Sequence, residues 1–147
     1  MNIATNIKMT QATTLTQGAA GVTVIKSNAI DMSDYETVLF AVPFGVITAG
    51  AATSIKVQQS VDTTDGNFAD LAGSLVTVLD TNDDTTFYIE VIKPQKRYVR
   101  LYVSRATQNA VVGNIIALQA DGRVKATVQD ATVTSGKVLL SPDEGTA

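Results

Sequence analysis

The stretch Ser54-Ile55-Lys56-Val57-Gln58-Gln59-Ser60-Val61 sets Ile55, Val57 and Val61 against Ser54, Lys56, Gln58 and Ser60. Successive side chains of a strand point to opposite faces, so this period of two predicts a β-strand with one apolar and one wet face. The same reading extends outward. Tyr35 to Pro43 carries Val38, Phe40 and Val42 on one face and Leu39 and Ala41 on the other. A strand apolar on both faces belongs in the middle of a sheet. Arg97 to Ser104 alternates Val99, Leu101 and Val103 with Tyr98, Arg100 and Tyr102. Further strands are predicted at Gly21 to Lys26, Leu75 to Leu79, Thr85 to Ile92 and Gly113 to Gln119, with weaker ones at Arg123 to Val128 and Gly136 to Leu140. Asp62 to Asn67, Asp80 to Asp84 and Lys93 to Lys96 around Pro94 supply turn chemistry between them.

Seven to nine short strands at this spacing, with no amphipathic helix of three turns, predict an all-β fold. The expected architecture is a two-sheet β-sandwich of the jelly-roll type with extended terminal arms. A chain of 147 residues is one domain with one core. The expected division is a polar N-terminal arm over 1–20, the sandwich over 21–120, and C-terminal strands and tail over 121–147. Alternation assigns Val38, Phe40, Ile55, Val57, Phe87, Ile89, Val99, Leu101, Val103, Ile115 and Ala117 to the core.

Composition narrows the chemistry. There is no Cys and no His, which removes disulfides, thiolate nucleophiles, the commonest general base near neutral pH and the commonest zinc ligands. Neither a phosphate-cradling glycine loop nor a nucleophile elbow is present, and the carboxylates cluster in turns. The reading is a non-enzyme with no catalytic residue, no cofactor and no metal. A net charge of −3 gives no general attraction to nucleic acid. No run reaches membrane-spanning length, and the opening residues lack the apolar core of a signal peptide, so the expected setting is the cytoplasm in which the chain is made, without nucleic-acid or membrane partners.

Two charge clusters remain. Lys93, Lys96, Arg97, Arg100 and Arg105 gather five of the eleven basic residues within thirteen positions, interleaved with Tyr98 and Tyr102. Tyr and Arg bring large contact area and directional hydrogen bonds, so Lys96, Arg97, Tyr98, Arg100 and Tyr102 are candidate protein-interface residues. A solvated sheet face is the competing explanation, and stacking on nucleic acid suits a net acidic chain least. Asp80, Asn82 and Asp84 match the first three oxygen positions of a calcium loop, but Thr85 stands where that loop needs Gly and Val91 where it needs Glu. A plain turn explains the same residues.

The phrase VQQSVDTTDGNFADL, Val57 to Leu71, followed by KRYVRLYVS, Lys96 to Ser104, resembles small structural proteins of tailed bacteriophages, most of all capsid decoration or cement proteins with a jelly-roll fold. The resemblance covers most of Gly21 to Gln119. It implies a virion protein on the capsid exterior that binds the major capsid protein as a homodimer or homotrimer and bridges neighbouring subunits. A tail or head-tail component is the alternative. A carbohydrate-binding sandwich is a further one, disfavoured by the absence of Trp.

Low charge and strands apolar on both faces also predict self-association. The terminal segments carry scattered apolar anchors, Ile3, Ile7 and Leu15 among them, which an extended arm could lay along a neighbouring subunit. The sandwich is expected to fold without residues 1 to 18.

Overall fold

A computed structural model describes residues 2–14, 19–124, 126–134, 136–139 and 144. The chain is a sandwich of two antiparallel sheets. In the first, β5 (Thr37–Ile47) is central, flanked on one side by β9 (Thr86–Ile92) and on the other by β11 (Ala110–Val112) and β12 (Ile116–Ala120) in succession. Beyond these lie β2 (Ala20–Gly21) against β11 and β1 (Lys8–Gln11) against β12. In the second sheet β10 (Tyr98–Ala106) pairs with β6 (Ala52–Ser60) along nine residues. β3 (Ile25–Lys26) and β4 (Ile30–Asp31) flank β10, and β7 (Ala69–Asp70) and β8 (Val76–Val78) flank β6. A one-turn helix, α1 (Ile3–Asn6), precedes β1, and a short 3-10 turn spans Asp65–Asn67.

Several short strands are therefore pieces of longer ones. β11 and β12 run along the same flank of β5, interrupted at Gly113, where a Cβ would come 2.8 Å from the Pro43 ring. β7 and β8 run along the same flank of β6, interrupted at a loop whose Gly73 has φ of +77°, a left-handed conformation that Gly adopts without steric cost.

The strong periodicities hold. Val38, Phe40, Ile55, Val57, Val99, Leu101, Val103, Ile115 and Ala117 are all buried. Phe87 and Ile89 are only half-buried against this core, because β9 has a neighbour on one side alone. Two buried polar side chains tie the sheets together. Arg105 of β10 donates from Nη1 to the Ala110 carbonyl at 2.8 Å and from Nε to the Thr23 carbonyl at 2.8 Å. Gln119 of β12 donates to the Asp31 carbonyl at 2.8 Å. Each satisfies carbonyls that would otherwise be costly to bury.

Three expectations change. Gly21 to Lys26 is not one strand: it breaks at Val22–Val24 as the chain crosses from the first sheet to the second. Arg123 to Val128 and Gly136 to Leu140 form no strand among the described residues. The N-terminal arm is partly sandwich: β1 pairs with β12, Ala12 and Thr13 are buried, and Thr13 Oγ1 accepts the Ile115 N–H at 2.8 Å. The C-terminal segment then lies on β1, with Met9 N–H donating to Gln129 Oε1 at 2.7 Å and Gln11 N–H to Thr132 Oγ1 at 2.9 Å. Edge amides that β1 would expose are thereby occupied.

Removing residues 1–6 should leave the denaturation midpoint nearly unchanged, whereas removing 1–13 strips a strand from the first sheet and should lower it clearly in a guanidinium titration. In the same assay Leu101→Ala should cost about 3 kcal/mol through the cavity it opens. The exposed Leu75→Ala should stay within about 0.5 kcal/mol.

Candidate functional site

Alternation along β10 sends Tyr98, Arg100 and Tyr102 to the outer face of the second sheet, opposite Ser60, Gln58 and Lys56 of β6. That face is not simply wet. After Ser60 the chain makes an excursion over residues 61–70 that folds back across it. Arg100 is only 6% exposed. Its guanidinium donates from Nε to Gln58 Oε1 at 2.8 Å and from Nη1 to Asp65 Oδ1, and it lies 4.0 Å from the centre of the Phe68 ring. A buried guanidinium needs this full set of partners, since an unpaired charge away from water is expensive.

The excursion is held at further points. Lys26 of β3 donates to Asp65 at 2.8 Å, so one carboxylate joins β3 to β10. Lys56 donates to Asp70 Oδ2 at 2.7 Å and Gln58 Nε2 to Asp70 Oδ1 at 2.8 Å. Lys56 also lies 4.7 Å from the Tyr102 ring centre, a cation–π distance. Asp62 accepts from Thr64 N–H at 2.8 Å and from the Asn67 amide, closing the turn on itself. Hydrogen bonds from Lys26 and then Arg100 hold the Asp65 carboxyl below the usual carboxylate range, and Lys56 and then Gln58 do the same for Asp70.

At the other end of β10, Arg97 makes a two-pronged contact with Asp31 of β4, Nε to Oδ1 at 3.0 Å and Nη2 to Oδ2 at 2.7 Å. The Arg97 hydrogen bond is the main cause that lowers the Asp31 carboxyl to about 2. Arg97 lies 5.1 Å from the Tyr98 ring, and Lys96 borders a shallow cleft lined also by Tyr35, Glu36, Lys93 and Arg123.

The predicted residues thus divide. Arg97, Tyr98 and Tyr102 share the outer side of the second sheet with part of their surface accessible, while Lys96 lies in the loop before β10 and lines the cleft there. Arg100 sits among them but is spent on internal partners, because Asp65 and Phe68 of residues 61–70 fold over it, a cover that no local pattern around Arg100 announces. Ile3, 63% exposed, and half-buried Ile7 lie beside the first sheet, far from that set in the topology. Leu15 lies outside the described residues. Lys26, Asp31, Lys56, Asp65, Phe68 and Asp70 were not singled out as site residues. The signal that could have found them was opposite charge across neighbouring strands. In the Asp80–Asp84 turn, Asp80 accepts from Gly50 N–H, Asn82 from Leu79 N–H and Asp83 from Ile47 N–H, so these oxygens serve backbone amides.

The outer face of the first sheet differs. Met9, Leu39, Ala41, Ile116 and Leu118 lie side by side on it, half-buried, with Tyr88 and Ile92 exposed at its β9 border. One face of the sandwich is charged and cross-braced, and the other is mainly apolar, with the exposed Glu90 between Tyr88 and Ile92 at its β9 border. No protein-family model matches the chain, and no curated protein matches it either.

Phe68→Ala or Asp65→Ala should free residues 61–70 for limited proteolysis while the β-sheet circular dichroism stays unchanged. Because folding depresses the Asp31 pKa from 3.8 to about 2, its stabilising contribution is complete above pH 4 and is lost as pH falls through 2. The urea midpoint should therefore drop on going from pH 6 to pH 2.5, and drop less in Asp31→Asn.

Proposed function

We propose that this is a structural virion protein of a tailed bacteriophage that binds the outer surface of the capsid and stabilises the shell by bridging major capsid subunits. The observation that carries this reading is where the two phrases behind the family resemblance fall. Val57 to Leu71 and Lys96 to Ser104, 25 residues apart in sequence, form one unit: Gln58 pairs with Arg100, and Asp65 and Phe68 close over its guanidinium. What resembles a decoration protein is a braced surface patch rather than two scattered strings.

Physical chemistry supports the same use. Lys26, Lys56 and Arg97 are each held by a carboxylate on this face, so less side-chain entropy remains to be lost on docking. Tyr98 and Tyr102 add amphipathic contact area beside them. A jelly-roll topology is the finer fold assignment that goes with this proposal. Counting β1–β2, β3–β4, β7–β8 and β11–β12 as single interrupted strands gives eight, and every connection but the one from β6 to β7 crosses between sheets. First lies beside eighth, eighth beside third and third beside sixth, over second, seventh, fourth and fifth, an order that supports this assignment. The self-partner of this reading is a homodimer or homotrimer.

Electron microscopy of the particle that carries the protein tests the assignment. Sandwich-shaped density on the outer shell is expected, and density confined to the tail or the head-tail junction would replace shell binding with the rival role. With isolated shells, Tyr102→Ala should weaken binding at least tenfold without altering the fold. Undiminished binding would remove this face from the contact.

A further inference from the structure

We infer that β9 is a pairing edge for a second copy of this chain, the two β9 strands joining antiparallel about a two-fold axis at Ile89. This stands apart from the virion reading and holds wherever the protein acts. Sheet edges with unpaired backbone groups invite another strand, and proteins usually shorten, cover, charge or bend them. Here β2, β3, β4 and β7 have two residues each and β8 three, and β1 is overlaid by Gln129 and Thr132. β9 is neither short nor, among the described residues, covered or bent, and its single charge is Glu90. It runs seven residues from Thr86 to Ile92 in unbroken register with β5, and no Pro or Lys lies within it.

The orientation of its free groups follows from the ladder. Lys93 N–H donates to the Glu36 carbonyl and Phe44 N–H to the Thr85 carbonyl, so odd-numbered residues of this strand face β5. Thr86, Tyr88, Glu90 and Ile92 therefore turn N–H and C=O outward. Among the described residues nothing takes up those outward groups. An antiparallel partner must set outward residues opposite outward residues, and only three registers come near a symmetric fit. An axis at Glu90 opposes two like charges. An axis at Tyr88 sets Ile92 against Asp84, whose φ of +53° is not extended backbone. An axis at Ile89 pairs Thr86 with Ile92 and Tyr88 with Glu90, and engages every outward group of β9.

Charge selects the same partner. β9 is preceded by Asp80, Asp83 and Asp84 and followed by Lys93, Lys96 and Arg97. Antiparallel pairing brings the acidic turn of each copy to the basic cleft of the other, twice per dimer, whereas parallel pairing would set acid beside acid. The Asp84 carboxylate and the Lys96 ammonium have no polar partner among the described residues. On the inner side, Ile89 would meet its symmetry mate and Phe87 would meet Val91, covering the two core residues that the isolated chain leaves half-buried.

The chain contains no Cys, so a single introduced thiol reports the register. Residues opposed at a non-hydrogen-bonded site have Cα atoms about 4.5 Å apart, within disulfide reach. Ile89→Cys should form a covalent dimer under mild oxidation. Ile92→Cys should not, since its two thiols would be about 20 Å apart. Sedimentation equilibrium should find a dimer for the unmodified chain. Tyr88→Pro, which removes an outward N–H and spares the β5 ladder, should raise its dissociation constant at least tenfold with unchanged circular dichroism. Lys96→Glu, a surface change that cannot disturb the core, should do so in the same direction and lose its effect at high salt. An unmodified chain that stays monomeric, a dimer in which Ile89→Cys remains reduced, or an Ile92→Cys that cross-links as fast would each overturn the inference.

Discussion

Everything in this molecule leans on β10 being paired along both flanks. With β6 on one side and β3 and β4 on the other, the backbone of Tyr98–Ala106 has no freedom to slip, and a one-residue slip would turn every side chain to the wrong face. Val99, Leu101 and Val103 are then fixed in the core at 0% exposure. Arg100 is fixed on the outside in the middle of a sheet, opposite Gln58. A guanidinium at that place, flanked by strands, needs a lid that can also bond it. The excursion over residues 61–70 is that lid, and its Asp65 and Phe68 are the two groups that make it one. The exposed ion pairs around it add little stability singly, each worth about 0–1 kcal/mol. Their effect is to fix positions.

The two sheets treat their edges differently. On the first sheet the N-terminal strand and the C-terminal segment close one border together, through Gln129, Thr132 and the Lys8–Asp130 pair. The opposite border, β9, pairs with β5 alone among the described residues. The apolar outer face of the first sheet continues up to the β9 side through Tyr88 and Ile92, with Glu90 between them.

How much of this was legible depends on where the pattern came from. Core strands could be read because burial on one face imposes alternation, as in Ile55 and Val57 or Val99, Leu101 and Val103. β1 could not, since a strand of Lys, Met, Thr and Gln at an edge carries little hydrophobic period and reads as a polar arm. Gln58 and Ser60 looked wet and are buried, because what covers them arrives from sequence beyond the strand. Phe87 and Ile89 were correctly placed on the inner face but lack a second neighbour. Arg100 was legible as a special residue and not as an internal one. Pair partners such as Asp31 with Arg97 are 66 positions apart and leave no local trace.

The dependence on β10 is open to direct measurement by residue-resolved amide hydrogen exchange on the free chain. The amides of β10, β6 and the centre of β5 should exchange slowest, with one common free energy equal to that of global unfolding. Residues 61–70 should exchange faster, opening as a local unit while the sheet beneath stays closed. If the β10 amides exchanged as fast as those of the excursion, or opened before β1, the strand would not be the element on which the rest is built.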